Sequence, residues 1–241
     1  MELHNKSILV TGANRGIGAA LVRALLKRDI RRIYAASRQL DALPAFGDRR
    51  VLSLKIDVTS AADVDAAASE ASDIDLLINN AGVAHFNTIV TGSPRELRDD
   101  MEVNYYGTLR VIQAFAPLLI KRGGGLIANI ISVVGLAPMF AVGGYSASKA
   151  ALYSATLAAR AELKPNHIQV VGIFPGPIDT DMAKGLKAEK TSAESAAEAI
   201  VRGFIAGDDD IYPDATSVQI AGLWLKNPKG VEHLFASMPM A

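Results

Sequence analysis

The chain of 241 residues contains no cysteine, which excludes a disulfide framework, a thiolate metal site and a cysteine nucleophile. It has no excess charge either, since 25 Lys and Arg balance 25 Asp and Glu. A protein that binds mainly nucleic acid needs a basic surface to displace counterions, so no nucleic-acid partner is expected. Histidine is scarce: His4, His85, His167 and His233 stand singly, with no spacing suited to a metal, and no metal is expected. Aromatic residues make up only 6%, while half the chain is hydrophobic, an ordinary globular composition. Residues 1–6 hold no apolar signal core, which predicts a cytoplasmic location.

Only one apolar run is long. Residues 126–142 approach the roughly 18–20 residues of a membrane helix. Asn129, Ser132, Gly135 and Pro138 interrupt the run, and three glycines precede it. A buried parallel strand at 126–133 that leads into a loop accounts for it better, and no membrane span is expected.

What is present is alternation. Short apolar runs at 7–12, 32–37, 51–58, 74–81, 126–133, 169–175 and 210–212 read as strands. Between them, amphipathic or Ala-rich runs at 17–28, 61–71, 97–122, 145–163 and 193–206 read as helices. Such alternation predicts an α/β fold: a single-domain, Rossmann-type doubly wound sheet of about seven parallel strands, with helices on both faces. No repeat or linker divides residues 1–241. The tail, 214–241, carries one apolar stripe (Val218, Leu223, Trp224, Leu225, Leu234, Phe235) and reads as a packing helix or an interface element.

Open parallel sheets bind ligands beyond the carboxyl ends of their strands, and the unusual residues gather there. The first strand runs into Gly12, Ala13, Asn14, Arg15, Gly16, Ile17 and Gly18, within which a helix begins. Glycines at that turn let the backbone approach a pyrophosphate, whose charge the free N–H groups of the helix start stabilise. The second strand ends in Ser37 and Arg38, where a carboxylate would be expected if the cofactor's ribose carried free hydroxyls. Two guanidinium groups and a hydroxyl suit a 2′-phosphate instead, so NADP(H) is preferred over NAD(H). Tyr145 and Lys149 lie four apart on a helix and so share a face. A phenol is a poor acid–base group at neutral pH unless a neighbouring cation stabilises its anion. Ser132, thirteen residues before Tyr145, brings a hydroxyl to the same edge.

Together these pieces resemble the short-chain dehydrogenase/reductase family over residues 7–182. The matching motifs are Thr11-Gly12-x-x-x-Gly16-Ile17-Gly18, Asp57-Val58, Asn79-Asn80-Ala81-Gly82, Asn104, Ser132, Tyr145-x-x-x-Lys149 and Pro175-Gly176. The resemblance implies Tyr145 as proton donor in carbonyl reduction and base in the reverse direction. It implies that Lys149 binds the nicotinamide ribose and lowers the phenol's pKa, and that Ser132 bonds the substrate oxygen. Asn104 would hold a water linking Lys149 to solvent. Asp57 would accept from the adenine amino group and Val58 would offer backbone. Asn79, Ala81, Gly82, Pro175, Gly176 and Ile178 would line the cofactor, with Asn79 partly structural, and Thr180 would bond the carboxamide.

Substrate selection falls to His85, Val133, Met139, Phe140, Met182 and Leu186, an apolar set that suits small to medium ketones, aldehydes or secondary alcohols. A substrate loop or lid is expected at about 177–191. The family's usual helix interface, here 97–122 with 145–163, implies a homodimer or homotetramer, and the unusual tail leaves the choice open. Three functions fit: an NADP(H)-dependent carbonyl reductase, an NAD-dependent alcohol or hydroxysteroid-type dehydrogenase, and a non-catalytic NADP-binding regulatory protein.

Overall fold

Successive strand side chains point to opposite faces, and here both sets are apolar. Ile8 and Val10 face one layer and Leu9 the other; Leu76 and Ile78 oppose Leu77, and Leu126 and Ala128 oppose Ile127. Strands buried on both faces demand helices above and below. The computed structural model, which describes residues 2–237, meets that demand.

The strands of the main sheet are β1 (Ser7–Val10), β2 (Arg32–Ser37), β3 (Val51–Lys55), β4 (Leu76–Asn79), β5 (Gly125–Ile130), β6 (Ile168–Ile173) and, out of chain sequence, β9 (Asp210–Ile211). They form a seven-stranded sheet in the order β3-β2-β1-β4-β5-β6-β9, every pair parallel. Helices α1 (Gly16–Leu26) and α6 (Ala193–Ala206) pack on one face; α2 (Ala61–Glu70), α4 (Thr108–Lys121) and α5 (Gly143–Leu163) cover the other. The order reverses between β1 and β4, which opens a crevice at the carboxyl ends of those strands.

Five strands, β1, β3, β4, β5 and β6, stop two or three residues before the apolar runs end. At β3 the reason is local, since Asp57 Oδ1 accepts from the Thr59 N–H (2.9 Å) and hydroxyl (2.7 Å), folding the chain back before Val58. Beyond Ile130 and Ile173 the backbones still touch, Ile131 N–H donating to Ile173 O (2.7 Å) and Val133 N–H to Pro175 O (3.1 Å). Ser132 therefore stands two residues past the end of β5 rather than on it.

The single helix read at 97–122 is three segments: α3 (Pro94–Met101), a π-helical turn (Glu102–Gly107) and α4. The π turn carries Asn104 into the interior, and such turns recur at functional sites. The expected lid at 177–191 is tied at its base, because β7 (Ile178–Asp179) and β8 (Thr191–Ser192) pair in parallel, leaving 180–190 as the loop between them. The tail forms α7 (Ala215–Lys226) and α8 (Pro228–Ala236), which pack Ile220, Val231 and Phe235 over the loop that follows β5. Its last four residues, 238–241, lie outside the described ones. No helix among the described residues is long and apolar enough to cross a membrane.

Candidate active site

The glycine turn is held from beneath by Thr11, whose buried hydroxyl accepts from the N–H groups of Asn80 (2.9 Å) and Ala81 (3.0 Å). Asn80 returns the contact, its amide donating to the carbonyls of Thr11 (2.9 Å) and Gly12 (3.1 Å). Gly12 and Gly16 have φ of +64° and +52°, the left-handed region that side chains resist. A Cβ on Gly18 would lie 2.2 Å from the Gly12 carbonyl oxygen, so this glycine lets helix and loop close on each other. Helix α1 opens with no side-chain cap and no acidic residue in its first turn. Its N–H groups and dipole are thereby left to an anion.

A cavity of about 820 Å³ runs from this turn along the strand ends. Gly12, Asn14, Arg15, Gly16 and Ile17 line one end with Ser37, Arg38, Asp57 and Val58; Ala81, Gly82, Pro175, Gly176, Ile178 and Thr180 line the middle. Ser132, Tyr145 and Lys149 line the far end with Val133, Met139, Met182 and Leu186. The glycine cradle, the uncapped helix and the pair of arginines fit a phosphorylated dinucleotide. Burial pulls the Asp57 carboxyl upward, but the Thr59 bonds and the charges of Arg38 and Lys55 outweigh it and hold its pKa below the ordinary value. Both Thr59 bonds fall on Oδ1, and Oδ2 accepts no hydrogen bond from the described residues.

Five residues expected at the site do not line this cavity. Asn79 points into the helix layer instead, donating to Asn129 Oδ1 (2.9 Å), because alternation along β4 turns position 79 inward. Gly18 serves packing, as its contacts show. Phe140 sits in a short turn ahead of α5 and is 42% exposed. His85 is turned away by Asp100, whose Oδ1 lies 3.0 Å from its Nδ1. Asn104 lies behind the wall, its Oδ1 accepting from Val83 N–H (2.9 Å) and its amide donating to Val83 O and Ser148 Oγ (both 2.9 Å). It still borders the site: a Cβ on Gly82 would sit 2.9 Å from Asn104 Oδ1 and 3.8 Å from Lys149 Nζ.

The catalytic candidates are brought together. Lys149 Nζ donates to Ile130 O at 2.7 Å and stands 5.6 Å from the centre of the Tyr145 ring. Burial pushes the Tyr145 phenol up to about 12, while a hydrogen bond with Ser132 pulls it back and the Asp100 charge adds to the rise. Burial pushes Lys149 down to about 7, opposed by Asp100. Each group resists its charged form, so an anion on one and a cation on the other are best made together. Besides that contact with Tyr145, the Ser132 hydroxyl makes a 3.3 Å bond to Pro175 O and accepts one of equal length from Val134 N–H, both weak enough to yield to a ligand.

Several contributors escaped the sequence reading. Asn80 was within the quoted motif, but only strand alternation tells which of two adjacent asparagines turns toward the loop. Asp100 falls in step with Leu97, Asn104 and Gly107, an inward helical stripe that flags a buried charge. The tail supplies Thr216, Ile220 and Phe235 to the cavity, and the lid brings the charged Lys187 and Glu189 to its rim. Asp214 caps α7 by accepting from Ser217 N–H (2.8 Å), and its Oδ2 accepts from Gly176 N–H (2.8 Å). Asp214→Ala removes both bonds and is expected to lower stability by about 1–3 kcal/mol in urea denaturation. An unchanged midpoint would show that the tail is not tied to the site through this carboxylate.

Residues 6–191 match the family model described as short chain dehydrogenase. The chain belongs to that family and is an oxidoreductase of its class. It is 31% identical over 214 residues to an uncharacterised oxidoreductase of Staphylococcus epidermidis, covering 83% of this chain and 91% of that one. A 3-oxoacyl-(acyl-carrier-protein) reductase of Vibrio cholerae is 32% identical over 203 residues, covering 81% and 83%. Among solved structures, a short chain dehydrogenase from Burkholderia cenocepacia in complex with NADP superposes with a TM-score of 0.93 at 37% identity, covering 99% of this chain and all of that one.

Proposed function

We propose that the protein is an NADP(H)-dependent carbonyl reductase acting on small to medium apolar ketones or aldehydes. The observation that carries this is the continuous cavity, with two arginines and an uncapped helix at one end and a phenol, a hydroxyl and an ammonium at the other. The NADP bound by the Burkholderia relative supports the choice of cofactor.

The dinucleotide, when bound, supplies the hydride for reduction. The chain does the rest. The start of α1 would hold the pyrophosphate, and Arg15, Ser37 and Arg38 would hold the 2′-phosphate. Arg15 lies 3.3 Å from Asp181 in an exposed ion pair, one weak enough to be exchanged for a phosphate. Asp57 would hold the adenine end by accepting from its amino group. Ser132 donates to the substrate carbonyl oxygen, and Tyr145 passes its proton to the same atom. The Lys149 ammonium compensates the phenolate left behind, and Asn104 lies on the path by which the proton is replaced from water. Val133, Met139, Met182, Leu186, Ile220 and Phe235 surround the carbonyl's substituents, excluding water and selecting apolar ones. Self-association is assigned to α4 and α5, which with the π turn expose Tyr106, Ile120 and Leu157.

Arg38→Ala is expected to raise the Kd for NADPH about tenfold or more, the scale of one charge-assisted hydrogen bond, with little change for NADH. Titrating both cofactors by fluorescence decides it. Equal losses would return Arg38 to a plain solvated charge.

A further inference from the structure

Asp100 has no part in the mechanism above, yet it is fully buried and is the one buried residue of α3. Its Oδ1 takes two contacts from one residue, the His85 backbone N–H (3.3 Å) and the His85 ring Nδ1 (3.0 Å). Its Oδ2 has no hydrogen-bond partner among the described residues. That bare oxygen lies against the opening turn of α5, where a Cβ on Gly144, the residue before Tyr145, would come within 2.8 Å of it. This turn has no side-chain cap. A buried carboxylate is costly unless something nearby uses its charge, and the positive end of a helix dipole does.

We propose that Asp100, held by His85, is a positioning residue for the catalytic pair: it anchors the opening turn of α5 and supplies the negative charge that Tyr145 and Lys149 face. The inference rests on the reductase reading of the site. The titratable groups around Asp100 are His85 from the loop after β4, Asp99 from its own helix, 3.5 Å from His85 Nε2, and Tyr145 and Lys149 from α5. Burial pushes the Asp100 carboxyl up, while the His85 contacts pull it back. A charge here favours the proton-bearing form of both catalytic groups. Those are the forms that reduction needs at the start of a turnover: a phenol with its proton and a cation beside it. His85, with 30% of its side chain exposed, connects this buried charge to solvent.

The test is the titration of Lys149 in the free protein, followed by NMR of lysine labelled at Cε and assigned with Lys149→Met. Asp100→Asn keeps the shape and removes the charge. It is expected to move the Lys149 midpoint downward by at least about 0.5 pH unit, the scale of one nearby buried charge. The alkaline limb of NADPH-dependent carbonyl reduction should move the same way. His85→Gln, a change at a part-exposed residue, weakens the support of the Asp100 charge and should move Lys149 in the same direction by less; it decides the matter if Asp100→Asn fails to fold. An unmoved Lys149 midpoint in the folded variants overturns the proposal even in an active reductase. A moved midpoint in a protein that reduces no carbonyl upholds the Asp100 coupling and overturns the reductase reading instead.

Discussion

Tyr145→Phe is expected to bind NADPH as the wild type does and to turn over at least about 100-fold more slowly, the contribution of a positioned proton donor. The variant removes one oxygen and nothing else. The ring keeps its place on α5, the glycine cradle is untouched, and Ser132 still offers its hydroxyl. The loss should therefore fall on kcat and leave the Kd for NADPH within about twofold, read by pre-steady-state and fluorescence measurements. A protein that loses NADPH binding as well would show that the phenol holds cofactor more than it moves a proton. Full activity would remove Tyr145 from the chemistry.

Lys149→Met is expected to be as damaging, and it carries a second signature in stability. Burial holds the Lys149 pKa at about 7, against an ordinary value of 10.5 for the unfolded chain. Between those pH values the unfolded chain binds the extra proton, so this group makes the fold more stable as pH rises from 7 toward 10.5. The slope from one such proton is about 1.4 kcal/mol per pH unit. Tyr145 acts oppositely and at higher pH, since its folded value of about 12 lies above the unfolded 10.0, and stability falls with pH between the two. Urea denaturation between pH 7.5 and 9.5 isolates the lysine. The wild type should gain stability across that window, and Lys149→Met should lose about one proton's worth of the slope. Parallel slopes in the two proteins would mean that Lys149 is charged in the folded state throughout.

The sheet was legible because its central strands β1, β4, β5 and β6 are buried on both faces, which makes them nearly continuous apolar runs, while the edge strand β3 is largely exposed. The ends of the strands were not, since Ile131, Ser132 and Phe174 are as strand-like in sequence as the residues before them, and Ile131 and Phe174 still donate backbone hydrogen bonds to the neighbouring strands. Ser132, Tyr145 and Lys149 were singled out by spacing and residue type, and the structure brings the three to one end of the cavity. His85 misled, because a histidine near the site looks available until the buried Asp100 that claims it is known. That partner is fifteen residues away, buried on α3. The tail's Ile220 and Phe235 could not be assigned to the cavity from sequence, since an apolar stripe alone does not say which surface it covers.

The reductase reading is tested most directly by following NADPH consumption by the purified protein across a panel of apolar aldehydes, ketones and diketones, beside Tyr145→Phe and with NADH in parallel. The account predicts turnover that prefers NADPH, favours apolar carbonyls and disappears in the variant. Tight NADPH binding with no turnover of any carbonyl, or turnover that Tyr145→Phe retains, would contradict it.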